Sequence, residues 1–288
     1  MAQWRRWWLV LPLAASLLVM LVYPTVYTVG LAFSHSTLAR PFQSFVGWRN
    51  FANALQAGFP FELLRTVAFV LPVSVIQLGV GVAVALLLSR LGRGAGLVRS
   101  VLLLPLLTPP VMVGIAWKLL LASEGGWINT VLVRLGVVGQ AVHFLASPAW
   151  AWFWLAVADT WQWTPFVAML CAAALLGVPQ ESREAALLDG ARPWQVAWHV
   201  TLPLIAPALS AVLLLRVVLA FKLFDLVYVL TFGGPGDATA MASFRIWRTA
   251  LRSFDVGQAA AQVLLFALVV TLATWPFSRL HARLAASS

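Results

Sequence analysis

The sequence predicts an all-α membrane protein of six transmembrane helices, and three observations carry that prediction. Of 288 residues, 62% are hydrophobic and 10% charged, where a soluble domain carries roughly 25% charged residues. Too few polar side chains are left to cover even one fold in water. Six stretches reach the roughly 20 mostly apolar residues that a helix needs to cross the hydrocarbon. The 19 basic residues, which bring the net charge to +10, sit in small groups between those stretches, as in membrane loops, and form no stripe of the kind that grips nucleic acid.

The first span, Trp7 to Phe33, follows Arg5 and Arg6 as a signal peptide would. Its apolar run is longer than the roughly 7–15 residues of a cleaved signal, so a retained helix is expected. The second runs from Thr66 to Ser89, the third from Val98 to Leu121, the fourth from Ala149 to Leu176, the fifth from Leu204 to Leu230 and the sixth from Ala259 to Ser278. Pro72, Pro105, Pro109, Pro110 and Pro165 fall inside these spans and would break soluble helices. In a bundle, neighbouring helices satisfy the freed carbonyls and the kinks often line a cavity. For orientation, Arg5, Arg6, Arg90, Arg93, Arg99, Arg183, Arg192, Arg279 and Arg283 fall on the termini and even-numbered loops, against Arg40, Arg49, Arg65, Arg134, Arg245, Arg248 and Arg252 on the other side. The first set occupies much shorter loops, where the positive-inside rule applies, so both termini are expected in the cytoplasm. No linker or low-complexity tract interrupts the chain, and residues 1–288 are expected to form one membrane domain.

The longest cytoplasmic loop, 177–203, has more internal order than a linker needs. Pro179 suits the first turn of a helix, and Glu181 and Glu184 then lie near its positive end. Gly190 supplies the left-handed position that ends this helix after Asp189; Pro193 opens a second short helix that stops by Pro203. Ala185, Ala186 and Ala191 allow close backbone approach. The loop therefore reads either as a docking knob whose acids meet arginines of another protein or as a solvated hairpin joining two spans.

At this loop the sequence resembles a known family. Glu184-Ala185-Ala186, then Asp189-Gly190-Ala191, Leu202-Pro203 and Pro207 are similar to the EAA loop of membrane permease subunits in binding-protein-dependent ABC importers. Phe45-Val46-Gly47 with Asn50-Phe51, Leu104-Pro105 with Pro110 and Trp117, Trp161 with Thr164-Pro165-Phe166, Phe224-Asp225 through Leu230-Thr231 and Gly233-Gly234-Pro235, and Arg248-Thr249-Ala250 with Phe254-Asp255 and Gly257 resemble the sugar-permease branch related to the maltose system. The resemblance covers nearly the whole chain. It implies a type I ABC importer permease fold in a bacterial or archaeal cell (inner) membrane, and an EAA helix seated in a cleft of an ATP-binding subunit. Glu184, Ala185, Ala186, Asp189, Gly190, Ala191 and Trp198 would be its coupling residues. One departure is Ala197, before Trp198, where the family usually has an aromatic pair. The implied partners are a second permease subunit, an ATPase dimer, an extracytoplasmic substrate-binding protein and membrane lipid, with ATP and Mg bound by the ATPase and no cofactor on this chain.

Ionisable groups at bilayer depth usually face a cavity or a partner, since each costs about 2.5–3.5 kcal/mol on insertion scales. At about 1.5 Å of rise per residue, Asp159 and Arg216 lie at comparable depth in spans four and five and are expected to pair, within this subunit or across to its partner. Lys222 and Asp225, three residues apart, would share a helix face, with Arg216 and Asp225 pointing in opposite directions. One group would then be structural and the other would line a pathway. The resemblance places the substrate path partly along span five, with Lys222 where related permeases often carry asparagine. Lys222 would contact sugar hydroxyls or an anionic group, or else snorkel outward and pair with Asp225. Trp7, Trp8, Trp127, Trp150 and Trp152 read as interfacial anchors; Trp161 and Trp163, inside span four, read as candidate stacking platforms.

The same sequence argues against catalysis. Its one cysteine, Cys171, lies in an apolar run, its four histidines are scattered, and HExxH, GxSxG and CxxC are absent. The only lysines, Lys118 and Lys222, do not follow glycines, so no P-loop can be written. An ion-coupled carrier would favour inverted repeats and midplane carboxylates; no repeat is visible and Asp159 is the clearest such carboxylate. The leading reading is half of an import pathway for a sugar or oligosaccharide, working by alternating access under power from a separate ATPase, with glycerol-3-phosphate or a polyol as the alternative substrate.

Overall fold

A computed structural model describes residues 2–92 and 95–286, with side chains from residue 11 onward except that of residue 95. Arg93 and the side chains of Arg5, Arg6, Trp7 and Trp8 lie outside the described residues. In chain order the elements are α1 (Ala2–Ala32), β1 (Ser34–His35), β2 (Ser44–Phe45), α2 (Arg49–Gln56), α3 (Phe59–Leu88), α4 (Ala95–Leu107), α5 (Pro110–Leu120), α6 (Trp127–Arg134) and α7 (Pro148–Leu175). There follow α8 (Gln180–Leu188), α9 (Pro193–Val196), a wide π turn (Ala197–Thr201), α10 (Leu202–Leu204) and α11 (Ala206–Ala220). The chain closes with a π turn (Val227–Thr231), α12 (Ala242–Trp247), a third π turn (Arg248–Arg252) and α13 (Val256–Ala286). Two compact units divide it, Met1–Leu63 with Arg245–Val269 and Leu64–Phe244 with Val270–Ser288.

In the first unit, every side chain of α1 from Leu11 to Tyr27 is exposed. A helix apolar on all sides needs lipid or another chain around it. Its hydroxyls are spent on its own backbone, Thr25 donating to the Leu21 carbonyl at 2.6 Å and Thr28 to that of Pro24 at 2.8 Å. The end of α1 is closed by Asn50, whose amide donates to the carbonyls of Ala32 and Ser34 at 2.9 and 2.8 Å. Leu31 and Ala32 pack with Ala260 and Ala261 of α13, flanked by Phe33 and Phe51. β1 and β2 pair antiparallel, Ser34 with Phe45 and His35 with Ser44.

In the second unit, α7 is the hub. Ala151, Leu155, Ala158, Asp159, Gln162, Pro165, Ala168 and Cys171 are buried, a stripe at helical spacing. Ala85 of α3, Val167 and Cys171 of α7 and Val212 of α11 form one core cluster, with Leu78, Phe166 and Leu209 against it. Gly81 permits that approach: a Cβ there would stand 2.6 Å from Val167 Cγ1 and 3.1 Å from the Ala168 nitrogen.

Three helical stretches are long and apolar enough to cross a membrane by themselves, Leu11–Ala32, Phe59–Leu88 and Val256–Ala286. Three bent pairs reach that length together: Gly96–Leu107 with Pro110–Leu120 at 93°, Pro148–Leu175 with Gln180–Leu188 at 79°, and Pro193–Leu204 with Ala206–Ala220 at 72°. The third and fifth spans, expected as continuous, are therefore interrupted. Pro109 and Pro110 force the residues before them out of helical geometry, and the freed Thr108 carbonyl is taken by the Gln162 amide of α7 at 3.3 Å. Span five stops at Ala220, and Ser243 donates to the half-buried Leu223 carbonyl at 2.5 Å. Other boundaries shift as well, α13 running on to Ala286 beyond the expected Ser278. α3 begins at Phe59 because Arg65 is satisfied inside the helix, donating to the Asp237 carbonyl at 2.8 Å. α13 begins at Val256 because the Asp255 carboxylate accepts the Gln258 N–H at 2.9 Å and caps it.

Candidate functional site

Two places gather the chemistry-bearing residues, a helical hairpin and a buried charged centre. In the hairpin, α8 starts after Pro179, with Gln180 bonded to the Glu184 carboxylate at 2.6 Å. It ends in a left-handed cap: Gly190 has φ +83°, its N–H meets the Leu187 carbonyl and that of Ala191 the Ala186 carbonyl, both at 3.0 Å. This double bond satisfies carbonyls that a helix end otherwise leaves open. The Gln195 side chain then accepts the Arg192 N–H at 2.7 Å and starts α9. The second helix does not stop by Pro203, as its sequence suggested. The π turn at Ala197–Thr201 re-spaces the ladder, the Leu202 N–H reaching back to Ala197, and the helical run passes Pro203 to Leu204. Glu184, Ala185, Asp189 and Gly190 are exposed and Ala186 and Ala191 half-buried. Leu188 is 89% exposed and Trp198 67%, so the hairpin presents acids and large apolar groups together.

The charged centre joins three helices. Arg216 of α11 donates from Nη2 to the Asp159 carboxylate of α7 and from Nε to the Gln77 amide oxygen of α3. Gln77 in turn donates to the same Asp159 oxygen at 2.8 Å. All three are buried. The guanidinium also stands 5.0 Å from the Trp163 ring, a cation–π contact. Among the described residues its Nη1 has no hydrogen-bond partner.

Beside this ring lies a cavity of about 160 Å³ lined by Asp159, Gln162, Trp163, Arg216, Lys222 and Asp225, among others. Lys222 and Asp225 do not share a helix face, because the helix is interrupted between Ala220 and Asp225. They form no ion pair among the described residues. Arg216 and Asp225 both line this cavity. Trp161 stands apart, 46% exposed, on a separate apolar groove with Ile76, Pro105 and Phe153. Sequence reasoning missed Gln77 and Gln162. A neutral amide adds no charge to an apolar run, and Gln162 stands among the polar Asp159, Thr160 and Thr164, so neither is marked out by the spacing of charges.

The family described as binding-protein-dependent transport system inner membrane component matches residues 76–287. The chain belongs to this family. Among the permeases it resembles is the trehalose/maltose transport system permease protein MalF of Thermococcus litoralis, 34% identical over 267 residues that cover 91% of this chain and 89% of the relative. The trehalose transport system permease protein SugA of Mycobacterium tuberculosis is 31% identical over 269 residues, covering 92% and 85%. A chain from the crystal structure of a bacterial ABC transporter that imports the acidic polysaccharide alginate superposes with a TM-score of 0.81 at 22% identity, covering 97% of this permease and 96% of that chain. The fold is thus that of an ABC transporter permease, and the hairpin and charged centre are features of a multi-pass membrane protein.

Proposed function

We propose that this permease forms half of the transmembrane pathway of an importer for a neutral sugar or oligosaccharide, driven by a separate ATPase dimer that binds ATP and Mg. In this reading the chain is one membrane domain of six spans, each bent pair counting as one, with both termini in the cytoplasm. A second permease completes the pathway and an extracytoplasmic binding protein delivers the substrate.

The observation that carries the proposal is the α8–α9 hairpin. Its ends are closed by its own caps, so Leu188, Trp198 and Asp189 are not needed to hold it together, yet they stand outward beside the exposed Glu184. A bulky apolar rim with acids beside it suits a cleft lined by apolar and basic groups on a nucleotide-binding partner, and a rigid helix pair transmits a push. The sugar assignment is supported by the names of the relatives and by the balance of the small cavity, where Arg216 and Lys222 are matched by Asp159 and Asp225. A lining with no net charge favours hydroxyl-rich neutral ligands over a polyol phosphate.

Proteoliposomes test the reading. With a second permease, the ATPase and the binding protein, the chain should import a sugar. By itself it should neither transport nor hydrolyse ATP, and activity of the lone chain would overturn the assignment.

A further inference from the structure

A second cavity, of about 320 Å³, opens where α3 and α7 end, with α8 and α9 forming one wall. Three guanidiniums line it, from Arg90 just past α3, Arg99 on α4 and Arg183 on α8. All three residues are exposed. Among the described residues no carboxylate lines the cavity and none of the three side chains has an ion-pair partner. Three like charges brought to one hollow repel one another unless an anion sits among them.

The rest of the lining says which anion. Leu91, Leu176 and Leu187 line it together with the arginines; Leu176 is 87% exposed, Leu187 50% and Leu91 46%. Leu91 and Leu176 follow on the long apolar runs of α3 and α7, and Leu187 faces the same hollow from α8. A free phosphate would use the guanidiniums and leave those leucines in water. A phospholipid uses both, its phosphodiester accepting the forked donors of arginine and its chains covering the apolar rim.

We propose that this cavity binds the headgroup of an anionic phospholipid, held by Arg90, Arg99 and Arg183, with an acyl chain along Leu91 and Leu176. The bound lipid bridges the ends of α3 and α7 to the hairpin and fixes the angle at which the hairpin leaves the bilayer.

The test is native mass spectrometry of the full-length chain in detergent, titrated with short-chain phosphatidylglycerol or phosphatidylcholine. The wild type should prefer phosphatidylglycerol, and the triple variant Arg90→Gln/Arg99→Gln/Arg183→Gln should lose roughly 100-fold in that affinity at about one kcal/mol per charge near the membrane surface. Each single substitution should cost about fivefold by the same rule, which keeps the test open if the triple variant does not fold. Arg192→Gln, on the same hairpin but outside the lining, should change nothing. Equal binding of the two lipids by the wild type overturns the proposal. So does millimolar inorganic phosphate displacing phosphatidylglycerol, which would make this a free-phosphate site. Unchanged lipid binding by the triple variant, with its ATPase partner lost, would assign the cavity to a protein contact and overturn it equally.

Discussion

Gln77, Asp159 and Arg216 close a ring in which each side chain bonds the other two. Removing one partner of a buried pair leaves the other charge uncompensated, at about 3–5 kcal/mol. Asp159→Asn and Arg216→Gln should each destabilise the folded permease by about that much, while the double variant should fall short of the sum by more than about 0.5 kcal/mol. Thermal unfolding of the four proteins in detergent measures this, and strict additivity would refute the coupling. Gln162→Leu should cost about 1–3 kcal/mol in the same assay, since it leaves the half-buried Thr108 carbonyl without its partner. The pairing of Asp159 with Arg216 could be anticipated, because charges in apolar runs are few and their depths can be counted from the helix rise. Gln77 could not, because an amide adds no charge to count. Lys222 and Asp225 were misplaced by assuming that an apolar run is one helix.

The hairpin is the element most legible from sequence, because Pro179, Gly190 and Pro193 act through their own backbone chemistry and need no neighbours. Gly190→Pro demands φ near −65° where the chain has +83°, and Glu184→Lys reverses the charge the hairpin offers. Either variant should still reach the membrane in normal amount. Both should abolish sugar uptake while the assembled ATPase continues to hydrolyse ATP. Immunoblots of membranes, radiolabelled uptake and phosphate release separate those readouts, and normal uptake by both variants would refute the coupling role. The interruption after Ala220 was not legible, since no proline or glycine marks it; Ser243, twenty residues on, takes the open carbonyl. The break at Pro109-Pro110 was legible as a kink but not as a turn of 93°, because the Gln162 amide that satisfies it comes from another helix. Substituting Gly81→Val should separate α3 from α7, at a cost of about 1–3 kcal/mol for overpacking.

For the whole molecule, composition was enough to place the chain in lipid, and the gaps between charges located the three helical stretches that can cross a membrane by themselves, Leu11–Ala32, Phe59–Leu88 and Val256–Ala286, with ends displaced by as much as seven or eight residues on α3 and α13. The α2 and α6 helices and the β1–β2 hairpin were not anticipated, being short segments whose stability comes from contacts such as Asn50 on the end of α1. The topology can be read directly, because the sole cysteine, Cys171, is buried and leaves a quiet background for labelling. With impermeant maleimide on whole cells, Ser44→Cys should react from outside and Ser182→Cys only after permeabilisation; the reverse pattern would invert the orientation. The ring of Gln77, Asp159 and Arg216 also sets an order of synthesis. Asp159 leaves the ribosome 57 residues before its arginine, which is about 3–11 s at roughly 5–20 residues per second. Throughout that interval Gln77, made 82 residues earlier, is the member of the ring already available to it. The nascent permease therefore passes through a window in which a half-built membrane bundle carries an unmatched carboxylate, and a chain truncated before α11 should be cleared by membrane proteases faster than one truncated after it.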